Sequence, residues 1–167
     1  MFADSLFLVT LVVATLLSSL VAGLLFVFAI VVMPGIKHLT DREFIRAFQA
    51  MDGIIQDNQP LFILVWVGSA IAIIAATLLG LGQLDGSARL LLLLAAIAYM
   101  AGVQMITIVV NIPLNNQLQA LNVDLLDAPA HRTARADFEP RWNRWNAFRT
   151  IIAILVSAGL MILLILL

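Results

Sequence analysis

Residues 61–110 read LFILVWVGSAIAIIAATLLGL, then GQLDGS, then ARLLLLLAAIAYMAGVQMITIVV. Two apolar runs, each about the 20 residues that a helix needs to cross a bilayer, flank a six-residue turn. The first run carries only Ser69 and Thr77 as mild polar interruptions. So short a turn makes the two runs antiparallel neighbours. The pair is a transmembrane helical hairpin, and the rest of the chain is read outward from it.

Composition agrees. Of 167 residues 63% are hydrophobic and 11% charged, against about 25% charged in soluble domains, and the mean hydropathy is +1.08. This excludes a soluble domain and makes the protein integral to a membrane. The net charge of −1 says less than where the charges lie. With no cysteine, disulfides, thiolate catalysis, iron–sulfur clusters and cysteine-ligated zinc are excluded.

Upstream, residues 5–33 form a run without an ionisable side chain. It is longer than the roughly 7–15 residues of a signal-peptide core and has no basic leader, so it reads as an uncleaved first span. Ser18, Ser19, Ala22 and Gly23 make a small-residue patch for close helix packing; a homo-oligomer is one use for it. Pro34-Gly35 should end this helix. Thr40-Asp41-Arg42-Glu43 then has the pattern of a capping box. Phe44, Ala47, Phe48, Met51 and Ile55 follow at three- and four-residue steps, with Arg42, Glu43, Arg46, Gln49 and Asp52 largely elsewhere. Residues 41–56 are therefore expected to form an amphipathic helix over the bundle mouth, broken at Asp57-Asn58-Gln59-Pro60.

Downstream, Gln104, Thr107 and Asn111 fall on one face of the third span, and Asn115 joins them if the helix continues. Pro113 predicts a kink or break just after Asn111. Leu114, Leu118, Leu121 and Leu125 indicate a second short amphipathic helix. Residues 129–139, with His131, read as the most exposed stretch, and Pro140 suits a first helical position. From Arg141 a helix should run into the fourth span, with Trp142, Trp145, Asn146 and Arg149 sharing a face. The expected fold is all-α, one domain over residues 1–167. It is an antiparallel bundle of four transmembrane helices (about 5–33, 61–81, 88–110 and 149–167) with amphipathic helices after the first and third.

The loop between spans one and two holds Lys37, Arg42 and Arg46, and the third loop with the helix start beyond it holds Arg132, Arg135, Arg141, Arg144 and Arg149; the second turn has only Arg89. The positive-inside rule then places both long loops in the cytoplasm and both termini outside, the membrane being a bacterial plasma membrane. There is no phosphate-binding glycine loop, no nucleic-acid groove, and no metal spacing in a chain with only His38 and His131. Each polar candidate has a plain reading. Arg149 can snorkel to the interface, Trp142 and Trp145 can sit in the aromatic belt, and Gln104 and Asn111 can be interhelical hydrogen-bond glue, about 0.6–2 kcal/mol per contact. Together they would meet at one membrane surface under the helix of residues 41–56.

These residues carry a resemblance. Thr107, then Asn111-Ile112-Pro113-Leu114-Asn115-Asn116, followed by Trp142, Trp145-Asn146 and Arg149, resemble the signatures of the anthrone oxygenase-like family of small four-helix membrane proteins. Pro34-Gly35 and Ala47-Phe48-Gln49-Ala50-Met51 match as well, whereas Gln59 separates the usual Asn-Pro pair and Asp52 stands where asparagine is usual. The resemblance implies oxidation of an anthrone- or hydroquinone-like lipophilic aromatic by O2, with no metal or flavin. In that chemistry His38 would be the base, since histidine exchanges protons at physiological pH. Arg149 and Asn111 would serve the developing oxyanion, and Asn58, Gln104, Asn115, Trp142, Trp145 and Asn146 would bind substrate. The alternative is a non-catalytic bundle that binds a lipophilic small molecule or serves as a subunit of a larger membrane complex.

Overall fold

The computed structural model describes residues 2–167, with side chains from Ser5 onward. Those residues form five helices. Helix α1 runs as regular α-helix over Phe2–Val27, widens to a π-helical segment at Phe28–Val32 and ends with the turn Met33–Ile36. Helix α2 is Asp41–Gln56 and α3 is Pro60–Gly80. Helix α4 covers Gly86–Gln119 and contains π-helical segments at Met100–Met105 and Thr107–Asn111. Helix α5 is the 39-residue Ala128–Leu166. Helices α1, α3, α4 and α5 are each long and apolar enough to cross a membrane. Their outward positions are large and aliphatic, among them Leu64, Ile71 and Leu78 on α3 and Leu94 and Ile97 on α4. A surface of this kind belongs in lipid, and the protein is an integral membrane protein.

Two prolines do less than the sequence reading expected. Helix α1 runs through Pro34 and ends at Ile36, and Pro113 does not break the third span: α-helix resumes over Ile112–Gln119, which buries Leu114 and Leu118 of the expected second short helix. A proline inside a helix lacks the N–H for its bond and clashes with the carbonyl four residues back. Before each of these prolines the helix widens to π-turns, Phe28–Val32 ahead of Pro34 and Thr107–Asn111 ahead of Pro113. The wider turn absorbs the misfit without a break. Residues 129–139 also depart from expectation. They are helical rather than an exposed linker, Pro140 lies inside α5, and the Asp127 side chain caps its start by accepting from the Ala130 amide at 2.9 Å. His131 is buried, its Nε2 2.9 Å from the Val123 carbonyl oxygen.

Helix α2 begins at the capping box read from sequence. The Thr40 hydroxyl accepts from the Glu43 amide, and the Glu43 carboxylate accepts from the Thr40 amide at 3.1 Å. Phe44, Ile45 and Phe48 are buried against Leu114 and Leu118 of α4 and Phe138 and Trp142 of α5. This aromatic layer caps a second, aliphatic core built between the spans from Leu11, Val21, Ile73, Leu92, Val103 and Leu160, among others. Ser18 and Ala22 of the small-residue patch are buried within the bundle.

Polar clamps fix α2 in place. Gln49 Nε2 donates to the carbonyls of Leu118 and Leu121, at 2.9 and 3.0 Å, in the turn that ends α4. Arg135 of α5 donates to the Lys37 and Leu39 carbonyls and the Asp41 carboxylate, and its guanidinium lies 4.4 Å from the Phe44 ring centroid. Arg42 and Arg46 both pair with Asp124 at the surface, which holds that carboxyl below its ordinary range.

Candidate functional site

Under α2, between the two cores, is a cavity of about 250 Å³. It is somewhat smaller than the roughly 300–1,000 Å³ of drug-sized pockets. Every helix contributes. Leu24, Leu25 and Phe28 come from α1; Phe48, Met51, Asp52, Ile55 and Gln56 from the underside of α2; Phe62 and Trp66 from the start of α3. Thr107, Asn111, Ile112, Asn115 and Asn116 come from α4, and Trp142, Asn146 and Arg149 from α5. Most of the wall is apolar or aromatic. Phe62 stacks on Trp66 with centroids 5.5 Å apart and planes 13° from parallel, and Phe48 meets Trp142 edge-on at 5.5 Å.

The polar groups divide into two poles. At the inner pole Arg149 is 4% exposed. Its Nη1 donates to Thr107 Oγ1 at 2.8 Å and its Nη2 to Asn146 Oδ1 at 3.0 Å, while Nε is buried without a partner. Both acceptors are neutral, and among the described residues no carboxylate pairs with this cation. The second Asn146 contact, Nδ2 to the Leu25 carbonyl at 3.2 Å, ties the pole to α1. Beside it Asn111 is 2% exposed, and both of its amide atoms are buried without a partner. A buried, unbalanced guanidinium at membrane depth costs several kcal/mol unless something negative joins it. The pole therefore gathers guanidinium and amide donors without an anionic partner among the described residues.

At the outer pole Asp52 is 5% exposed. Its carboxylate accepts from Gln56 Nε2 at 2.6 Å and from Asn115 Nδ2 at 2.8 Å. Burial pushes its carboxyl above the ordinary range, against the downward pull of those two bonds. The poles meet at Trp142. Its Nε1 donates to Asn115 Oδ1 at 2.9 Å, and its ring lies 5.9 Å from the Arg149 guanidinium carbon.

Of the residues chosen from sequence, Asn111, Asn115, Trp142, Asn146 and Arg149 line the cavity together. The other four are outside its wall. His38 is exposed just past the end of α1, and Asn58 is exposed in the turn after α2, with a left-handed φ of 61°. Gln104 is buried lower in the bundle, where its Nε2 donates to the Trp66 carbonyl at 3.3 Å. Trp145 precedes Asn146 by about 100° of helical rotation, which turns it off the cavity. It meets Phe148 edge-on at 5.8 Å and borders an outer groove with Ala101, Gly102, Ile106 and Arg144.

Asp52, Gln56, Phe62 and Trp66 also line the cavity, though they belong to none of the sequence signatures. For Asp52 a signal existed: it follows Phe44 and Phe48 at four-residue steps, so it continues the buried stripe of α2 rather than its polar side.

Comparison with known proteins bears on this arrangement. No curated protein and no solved structure matches the chain. The family model described as Anthrone oxygenase matches residues 56–159, from the end of α2 to well within the fourth span, including every α3, α4 and α5 residue of the cavity. The chain belongs to the anthrone oxygenase family.

Proposed function

We propose that the protein oxidises a flat, lipophilic, oxygen-bearing aromatic of the anthrone or hydroquinone type with molecular oxygen, in the cavity beneath α2. One observation carries the reading: among the described residues, Arg149 is buried on the cavity wall with no carboxylate partner, next to an Asn111 amide with no partner at all. An anthrone carbonyl that becomes an anthrolate oxygen on loss of a ring CH₂ proton would supply the missing negative charge. Donors placed where charge develops stabilise it most in a dry, low-dielectric site. The anion is electron-rich enough to reduce O2 itself, so the protein's tasks are to bind the ring system, accept a proton and exclude water. The aromatic walls around Trp142 and Trp66 suit the ring system. No metal or flavin enters this scheme. His38 is exposed away from the cavity wall, which leaves it without contact to a substrate bound there.

The test is oxygen consumption by the purified protein in nanodiscs, given anthrone or a hydroquinone. The wild type should take up oxygen above the protein-free rate and yield the corresponding quinone. Arg149→Met should lose about 10²–10³-fold in turnover, as removal of an oxyanion donor does. Absence of uptake across both compounds, with anthraquinone still bound, would favour a non-catalytic carrier of lipophilic ligands.

A further inference from the structure

We propose that Asp52 is the group that takes the proton from the substrate's activated C–H, across the Trp142 indole from the guanidinium that receives the negative charge. The inference rests on the oxidation reading and adds its base. Asp52 and Arg149 are the only ionisable side chains on the cavity wall among the described residues. Both histidines lie elsewhere, His38 exposed and His131 against the Val123 carbonyl.

The surrounding hydrogen bonds hold the carboxylate in an accepting state. Indole N–H is a donor only, so Trp142 fixes Asn115 with its oxygen toward the ring and its NH₂ toward Asp52. Gln56 donates to the other carboxylate oxygen and to Asn116 Oδ1 at 3.2 Å. Each Asp52 oxygen thus receives one amide and keeps a second lone pair for the cavity.

The reaction balances with O2 as the sole co-reactant. Asp52 takes one hydrogen of the ring CH₂ as a proton, and the C–H electron pair delocalises onto the carbonyl oxygen beside Arg149 and Asn111. The carbanionic carbon gives its electrons to O2 and forms a C–O bond, and the peroxide takes the proton back from Asp52. The second C–H proton then passes to the carboxylate as the O–O bond breaks. The carbon becomes a ketone, and the departing hydroxide leaves with that proton as water. The sum is CH₂ + O2 giving C=O + H₂O.

Proton removal precedes oxygen, so it can be read without turnover. In D₂O under argon, the loss of the anthrone methylene NMR signal should be faster with protein than without. Asp52→Asn, which keeps the shape and an acceptor oxygen, should lose about 10²–10⁴-fold of the protein-dependent rate. Quenching of tryptophan fluorescence by anthraquinone should be unchanged, which shows an intact cavity. Oxygen uptake should fall by the same factor. Asp52→Glu should keep part of the activity with a displaced acid limb in its pH profile. In the wild type that limb should lie above the ordinary carboxylate range, because burial raises this carboxyl and the one charge across the cavity, Arg149, is held by neutral partners.

Exchange in Asp52→Asn equal to wild type would overturn the assignment. Oxygen uptake by the wild type without accelerated exchange would remove Asp52 and leave the oxidation reading standing. Accelerated exchange that needs Asp52, without oxygen uptake, would remove the oxidation and keep the base. Neither effect in the wild type would end both.

Discussion

At the scale of single residues, the cavity depends on which polar groups are left without partners and which are fully engaged. Thr107, Asn146 and Arg149 bond to one another yet leave Arg149 Nε and both Asn111 amide atoms buried without a partner among the described residues. Such groups cost about 1–3 kcal/mol each when buried unsatisfied, so their retention fits a ligand that completes them. Trp142 is the residue on which both poles converge. Trp142→Phe keeps most of the wall but removes the bond to Asn115, which becomes free to turn its oxygen toward Asp52. Substrate turnover should fall roughly tenfold, the equivalent of one hydrogen bond, with little change in anthraquinone affinity. Steady-state oxygen uptake alongside fluorescence quenching would separate the two. A loss in affinity as large as that in turnover would mean that Trp142 acts only as wall.

At the scale of elements, the π-helical segments connect the prolines to the site. Thr107–Asn111 is the widened stretch ahead of Pro113, and both of its end residues, Thr107 and Asn111, face the cavity. A π-turn shifts the register of everything before it relative to regular α-helix, which is why such segments often occur at functional sites. Pro113→Ala restores the missing N–H and removes the clash with the preceding turn. The segment should relax toward α-helix and carry Asn111 off the cavity, so turnover should drop at least tenfold while thermal stability holds or rises. Circular dichroism melting in detergent, with oxygen uptake on the same sample, tests this; unchanged turnover would show that the proline and the site are independent. Helix α2 was legible from its capping box, Thr40 to Glu43, because that pattern is local. The fate of Pro34 and Pro113 was not, since propensity predicts a break and a widened turn is the accommodation reached in the packed bundle.

At the scale of the whole molecule, both long connections and the cavity mouth lie at one end of the bundle, and the short turn around Asp85 and both chain ends at the other. Eight of the nine basic residues lie at or near the cavity end (Lys37, Arg42, Arg46, Arg132, Arg135, Arg141, Arg144 and Arg149). Several have local roles, Arg135 as a clamp and Arg149 in the cavity, yet exposed members such as Arg42 and Arg144 leave the asymmetry in place. The expected orientation keeps the cavity end in the cytoplasm. The chain has no cysteine, so single cysteines report sidedness directly. In intact cells, Gly82→Cys should react with a membrane-impermeant maleimide and Asp57→Cys should not; the reverse pattern would invert the topology.

The sequence by itself determined the four spans, the capped helix over them and the family, because hydrophobic length, cap chemistry and signature spacing are all local along the chain. Of the nine residues it nominated, five line the cavity, all on α4 and α5, where helical periodicity gathers polar side chains onto one face. Only the tertiary structure decided that His38, Asn58, Gln104 and Trp145 lie off the cavity wall and that Asp52 lies on it. The four-residue steps Phe44, Phe48 and Asp52 mark the buried face of α2, but what that face meets depends on residues some sixty positions away, such as Asn115 and Asn116, that no local pattern encodes.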